Sequence, residues 1–233
     1  MADWKSVGQA YVYSWIDPVI KWFIRIGVTP NMITLIGLIL NMVVTIVFVY
    51  GAEKTTRSDH RIVGVAGAVI LFAGLFDMID GRLARLSKTD SKFGALFDSV
   101  LDRYSEMLMF MGICYYLISH HYFLSSLFAF IAMIGSVMVS YTRARAEGLG
   151  LKMADVGFMQ RPERILLIGL SALLCGLMTG ILGSDFKISV DWLPFPLFET
   201  ISFFTLPIFI LAIMSNITAI MRMRHAENML KNS

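Results

Sequence analysis

The chain has 233 residues, 57% of them hydrophobic and only 16% charged, and a net charge of +3. So little polar surface excludes a soluble domain of this size and predicts an all-α integral membrane protein. The modest net charge gives no reason to expect a nucleic-acid partner.

In chain order, Met1, Ala2, Asp3 and Trp4 offer neither a basic n-region nor a cleavage site, so no removable signal peptide is expected. Residues 1–26 mix Trp4, Tyr11, Trp15, Trp22 and Phe23 with Lys5, Asp17, Lys21 and Arg25, and Pro18 interrupts them. That pattern predicts one or two amphipathic helices lying in the membrane interface. Pro30, with polar Thr29 and Asn31 beside it, reads as the start of a helix. Six apolar segments follow, at Asn31–Tyr50, Ile62–Leu83, Phe93–Ser119, Tyr122–Ser140, Ile165–Leu182 and Ile201–Met221. They predict six transmembrane helices in a single membrane domain over residues 27–233. The third could reach about 40 Å at 1.5 Å per residue, which suits a helix that protrudes from the bilayer. Cys114 and Cys175 both lie inside apolar runs and read as small core residues.

Lys and Arg set the expected orientation. Fifteen fall in the N-terminal segment, the second-to-third and fourth-to-fifth connections and the C-terminus, against four on the other side (Lys54, Arg57, Arg61 and Lys187). Both termini are therefore expected in the cytoplasm, and the protein in the cell membrane as a multi-pass chain.

The sharpest feature is Asp77-x-x-Asp80-Gly81-x-x-Ala84-Arg85, eight residues, then Gly94-x-x-x-Asp98-x-x-x-Asp102. Carboxylates are expensive at membrane depth and need a reason to be there. Asp77 and Asp80 fall on one helix face, as do Asp98 and Asp102. If the two faces meet, four carboxylates converge, and two divalent cations with a taste for oxygen ligands would neutralise them. Pairing with Arg82, Arg85 and Arg103 would also neutralise the charge, but it requires neither this spacing nor these small residues. Glu106, one turn further along, reads as a structural ion-pair partner.

This pattern resembles the signature of the CDP-alcohol phosphatidyltransferases, membrane enzymes of phospholipid synthesis, with every fixed position at the family's spacing. The resemblance implies that Asp77, Asp80, Asp98 and Asp102 hold two ions, Mg²⁺ or Mn²⁺, and that Asp102 also acts as general base. It places Asn31, Thr34, Gly81, Ala84, Arg85, Ser91 and Gly94 against the CDP-lipid donor. It implies a homodimer. The stretches Ser140–Gly148 and Gly157–Arg164 are similar to the acceptor loop of prokaryotic phosphatidylinositol-phosphate synthases, which transfer a phosphatidyl group from CDP-diacylglycerol to inositol phosphate and release CMP. By position, Arg143, Pro162, Arg164 and Arg222 would bind the acceptor, with Arg143 standing where the family pattern has Lys. Glycerol phosphate or another polyol phosphate is the alternative acceptor. A small transporter lined by Asp is the alternative class, but no internal repeat supports it.

Overall fold

Most helices begin or end where the sequence supplies a reason. This computed structural model describes residues 16–89, 91–153, 156–184, 186–189, 192 and 196–231, with α1 over residues 16–25 and α2 over Pro30–Lys54. Pro30 sits in the first turn of α2, where its missing N–H removes no helical bond. α3 (Arg61–Ser87) stops at Lys88, whose backbone is left-handed (φ 54°) and whose N–H returns to the Ala84 carbonyl. α4 (Lys92–Ser119) starts at Ser91, whose Oγ accepts the Gly94 N–H at 2.9 Å. α5 (Phe123–Glu147), α6 (Arg161–Leu182) and α7 (Ser202–Lys231) follow, with Pro162 in the first turn of α6.

Between α6 and α7 the described residues include a two-stranded antiparallel ladder. β1 (Lys187–Ile188) pairs with β2 (Phe198–Glu199), Lys187 opposite Glu199. The helices also overrun the apolar segments. α5 continues past Ser140 to Glu147 and α7 past Met221 to Lys231. A helix satisfies its own backbone bonds and can leave the bilayer without penalty. Arg143 is therefore helical, where the sequence reading put it in a connection.

α2, α3, α5, α6 and α7 are long and apolar enough to cross a membrane. α4 has 28 residues, but Asp98, Asp102, Arg103 and Glu106 break its apolar character. Large apolar side chains such as Ile46, Leu124 and Ile181 point outward, as a lipid-facing surface requires. The chain is a polytopic helical membrane protein. Of the expected N-terminal interfacial segment, Trp4, Lys5, Tyr11 and Trp15 lie outside the described residues. The described part, α1, includes Pro18 and exposes Trp22. Its Ile20 is fully buried in a small cluster with Ile33, Ile79 and Leu83, which seats α1 on α2 and α3.

α2 packs against both α3 and α4, while α3 and α4 are not among the extensively packed pairs of described elements. α3 lies instead along α6, and α5 along α7. The α3–α6 approach is set by glycine. A Cβ at Gly64 would come 2.8 Å from Gly176 Cα, so the two backbones touch as small-residue membrane interfaces do. In the main core Phe48 stacks on Phe204 and meets Tyr116 at a tilt, with ring centroids 6.1 and 5.8 Å away. α2 thus holds the two Asp-bearing helices side by side with a gap between them.

Candidate active site

The turn between α3 and α4 brings Asp77 and Asp80, near the end of α3, to the same end of the bundle as Asp98 and Asp102, in the first half of α4. The four carboxylates form two layers. Asp80 and Asp98 line a cavity of about 710 Å³, within the size range of small-ligand sites. Asp77 and Asp102 lie outside that lining, joined through Arg161. Arg161 Nη1 is 2.9 Å from Asp77 Oδ2 and 2.8 Å from Asp102 Oδ1.

Asn31, Thr34, Gly81, Ala84, Ser91 and Gly94 also line the cavity, together with the α1–α2 turn from Gly27 to Pro30. Six of the seven residues expected to face the CDP-lipid are therefore around one space. The seventh, Arg85, lies alongside, its Nη2 4.0 Å from where a Cβ of Gly81 would be. Thr34 Oγ1 lies 3.0 Å from Asp80 Oδ2 and 3.1 Å from the Pro30 carbonyl, so its one proton serves either acceptor. The other oxygen of Asp80 accepts the Gly81 N–H at 2.6 Å. A Cβ at Gly94 would stand 3.0 Å from Ser91 Oγ and 3.5 Å from Asn31 Oδ1. The missing side chain keeps those two polar groups together at the cavity wall.

The expected acceptor residues gather elsewhere, at the ends of α5, α6 and α7. Arg143, Arg164 and Arg222 come close enough for their charges to repel. Each is already engaged. Arg164 donates Nε and Nη2 to the two oxygens of Glu106, at 2.7 and 2.9 Å, and Nη1 to the Met159 carbonyl. Glu106 is thus an ion-pair partner, though of Arg164. Arg222 donates to the carbonyls of Val156 and Val139 at 2.8 and 2.7 Å. Arg143 pairs with Glu147 at 2.8 Å, half exposed. Pro162 is exposed beside Arg161.

The cations on the carboxylates differ from the pairing weighed in the sequence. Arg82 reaches back to Asp17 on α1 through two 3.0 Å hydrogen bonds, which hold the Asp17 carboxyl below its usual range. Arg103 bonds to the carbonyl and hydroxyl of Ser99. Arg161 is the residue that sequence reasoning missed, having counted it only among the basic residues of its connection. Its one local signal is its place directly before Pro162.

Among the described residues, no group of three or more His, Cys, Asp or Glu side chains stands as a ready ion-binding cage. The donors fit a divalent cation all the same. Asp77, Asp80, Asp98 and Asp102 offer hard oxygen ligands from α3 and α4, and two of them, Asp77 and Asp102, already hold a cation in Arg161.

Comparison with known proteins gives a consistent answer. Residues 27–221 match the family profile of CDP-alcohol phosphatidyltransferases. A phosphatidylinositol phosphate synthase of Mycobacterium tuberculosis is 33% identical over 178 residues, 76% of this chain and 73% of that protein. A crystal structure of that organism's synthase with CDP-DAG bound is 29% identical at a TM-score of 0.63, covering 90% of this chain and 92% of the other. A second, in complex with manganese and citrate, is 28% identical at a TM-score of 0.62, covering 90% and 87%.

Proposed function

Because the chain belongs to the CDP-alcohol phosphatidyltransferase family, we propose that it transfers a phosphatidyl group from CDP-diacylglycerol to inositol phosphate and releases CMP. The observation that carries this reading is the cavity. Six residues with the family's donor-binding positions and two signature carboxylates share one wall, at one end of a membrane bundle.

Asp77, Asp80, Asp98 and Asp102 hold two divalent cations, Mg²⁺ or Mn²⁺. When bound, the ions offset charge on the diphosphate and on the departing CMP. Asn31, Thr34, Ser91 and the small residues Gly81, Ala84 and Gly94 seat the CDP part of the donor, and Arg85 reaches the diphosphate with its planar fork. The acceptor hydroxyl attacks the phosphorus of the phosphatidyl group. One P–O bond forms, the P–O bond to CMP breaks, and Asp102 takes the hydroxyl proton. Positioning and electrostatics suffice for such a transfer, so no nucleophilic side chain is required. Arg143, Arg164 and Arg222, with Pro162, shape a cationic pocket for the acceptor's phosphate. The match to inositol phosphate synthases over three-quarters of the chain supports this acceptor over glycerol phosphate.

The protein crosses the cell membrane six times, with α4 as the span that carries charge and residues 1–26 as an interfacial segment beside the membrane domain of residues 27–233. The site opens to the cytoplasm, which the fifteen-to-four asymmetry of Lys and Arg supports. Two copies associate in the membrane. The test is acceptor competition. CMP release from CDP-diacylglycerol should be driven by inositol phosphate and hardly at all by free inositol or glycerol phosphate. Equal turnover with free inositol would overturn the phosphorylated-acceptor reading.

A further inference from the structure

Two arginines one helical turn apart treat their carboxylates in opposite ways. Arg164 grips both oxygens of one carboxylate with two parallel bonds, the arrangement of a permanent pair. Arg161 touches two carboxylates, on two different helices, through the single nitrogen Nη1. Its Nε is buried and has no hydrogen-bond partner. A guanidinium held this way balances charge but leaves a donor unsatisfied. It also opens α6, directly beside Pro162 and one turn before Arg164, where the expected acceptor pocket begins.

We propose that Arg161 is an exchangeable counter-ion: it neutralises Asp77 and Asp102 until divalent cations bind those carboxylates, and it then turns to the acceptor's phosphate. The proposal rests on the phosphatidyl-transfer reading and deepens it. A divalent cation on the carboxylate oxygens that Arg161 contacts competes with the guanidinium for them and repels its charge. A cation arriving there displaces Nη1 and frees a charged group that already has an unpaired N–H. A phosphate monoester, with about −1.5 to −2 charges near neutral pH, is the complementary partner. Metal loading would then raise acceptor affinity, and by linkage the acceptor must raise metal affinity by the same factor.

The experiment uses purified full-length protein in detergent and reads Mn²⁺ binding by electron paramagnetic resonance, without donor lipid. In the wild type, saturating inositol phosphate should tighten Mn²⁺ binding roughly tenfold, a typical coupling between sites. Arg161→Gln should bind Mn²⁺ tighter than wild type when alone, since its competitor is gone, and should lose the response to inositol phosphate. Arg161→Lys, which keeps the charge, should stay near wild type in Mn²⁺ affinity. A purely structural Arg161 would weaken both ligands together. Wild-type Mn²⁺ affinity that ignores inositol phosphate overturns the proposal, as does an Arg161→Gln variant that folds and binds Mn²⁺ no better. Wild-type CMP release serves as the separate control. Its absence would count against phosphatidyl transfer, whereas its presence with uncoupled Mn²⁺ binding would count against counter-ion exchange alone.

Discussion

Arg164 and Glu106 are locked together across α6 and α4 by hydrogen bonds of 2.7 and 2.9 Å, with side chains only 1% and 2% exposed. Removing one partner of such a pair strands a buried charge. Arg164→Ala should therefore destabilise the protein by about 3–5 kcal/mol, read as a lowered unfolding temperature in detergent. Replacing both residues with Leu should recover most of that loss. If Arg164→Ala melts like the wild type, Glu106 is not held as described.

Among the arginines proposed for the acceptor, Arg143 offers the cleaner test. Its pair with Glu147 is half exposed, so losing it should change stability by under about 1 kcal/mol. Loss of a charge-assisted contact to the acceptor's phosphate is typically about 1.5–3 kcal/mol. Arg143→Ala should thus raise the apparent KM for inositol phosphate roughly ten- to a hundredfold, leaving that for CDP-diacylglycerol nearly unchanged. Arg143→Lys should be milder. Steady-state kinetics with each substrate varied in turn decide it. A defect confined to the CDP-lipid would place Arg143 elsewhere in the mechanism.

Asp102→Asn keeps the side chain's shape and removes the proposed proton acceptor. Turnover should fall by about 10²- to 10⁴-fold, the usual share of a general base. CDP-lipid binding should fall far less than turnover, because Asp102 lies outside the lining of the cavity proposed for the donor. Near-normal CMP release from this variant would remove Asp102 from the base role.

The opposite end of the bundle predicts a pH response unrelated to turnover. His60, in the turn before α3, is buried with Nδ1 3.0 Å from the Tyr116 hydroxyl, and Tyr116 in turn meets the ring of His120 at 4.5 Å. Burial, reinforced by His120, pushes the His60 imidazole down to about 4 from 6.5, against the smaller pull of Asp59. An unfolded chain takes up this proton below pH 6.5 and the folded chain only near pH 4. Stability should hold above pH 6.5 and fall as pH drops through that window, by roughly 3 kcal/mol in all. Thermal melts of the wild type and His60→Asn between pH 4 and 8 test this. The variant should show the flatter profile, and two identical profiles would contradict it.

The signature was legible in the sequence because helical spacing alone fixes which face Asp77, Asp80, Asp98 and Asp102 present. The donor positions came from the family resemblance and not from spacing, and Gly81, Ala84 and Gly94 do line one cavity with Asp80 and Asp98. Contacts between distant segments were not legible. No local period connects Arg161 to Asp77 and Asp102, or Arg164 to Glu106. Basic residues near a membrane also look alike whether they set topology or fill a site. The extension of α5 to Glu147 was hidden because apolar content ends at Ser140 while helical hydrogen bonding does not. The pairing of Asp17 with Arg82 was hidden in an N-terminal segment whose aromatic content pointed to lipid.

The most direct test of the account is the lipid product itself. Purified protein is incubated with CDP-diacylglycerol and inositol phosphate, with Mg²⁺ or Mn²⁺ or with a chelator, and the products are identified by mass. The account predicts phosphatidylinositol phosphate and CMP in equal amounts, lost with the chelator and restored by the metal. CMP without a new phospholipid, or product formation that persists without divalent metal, would contradict it.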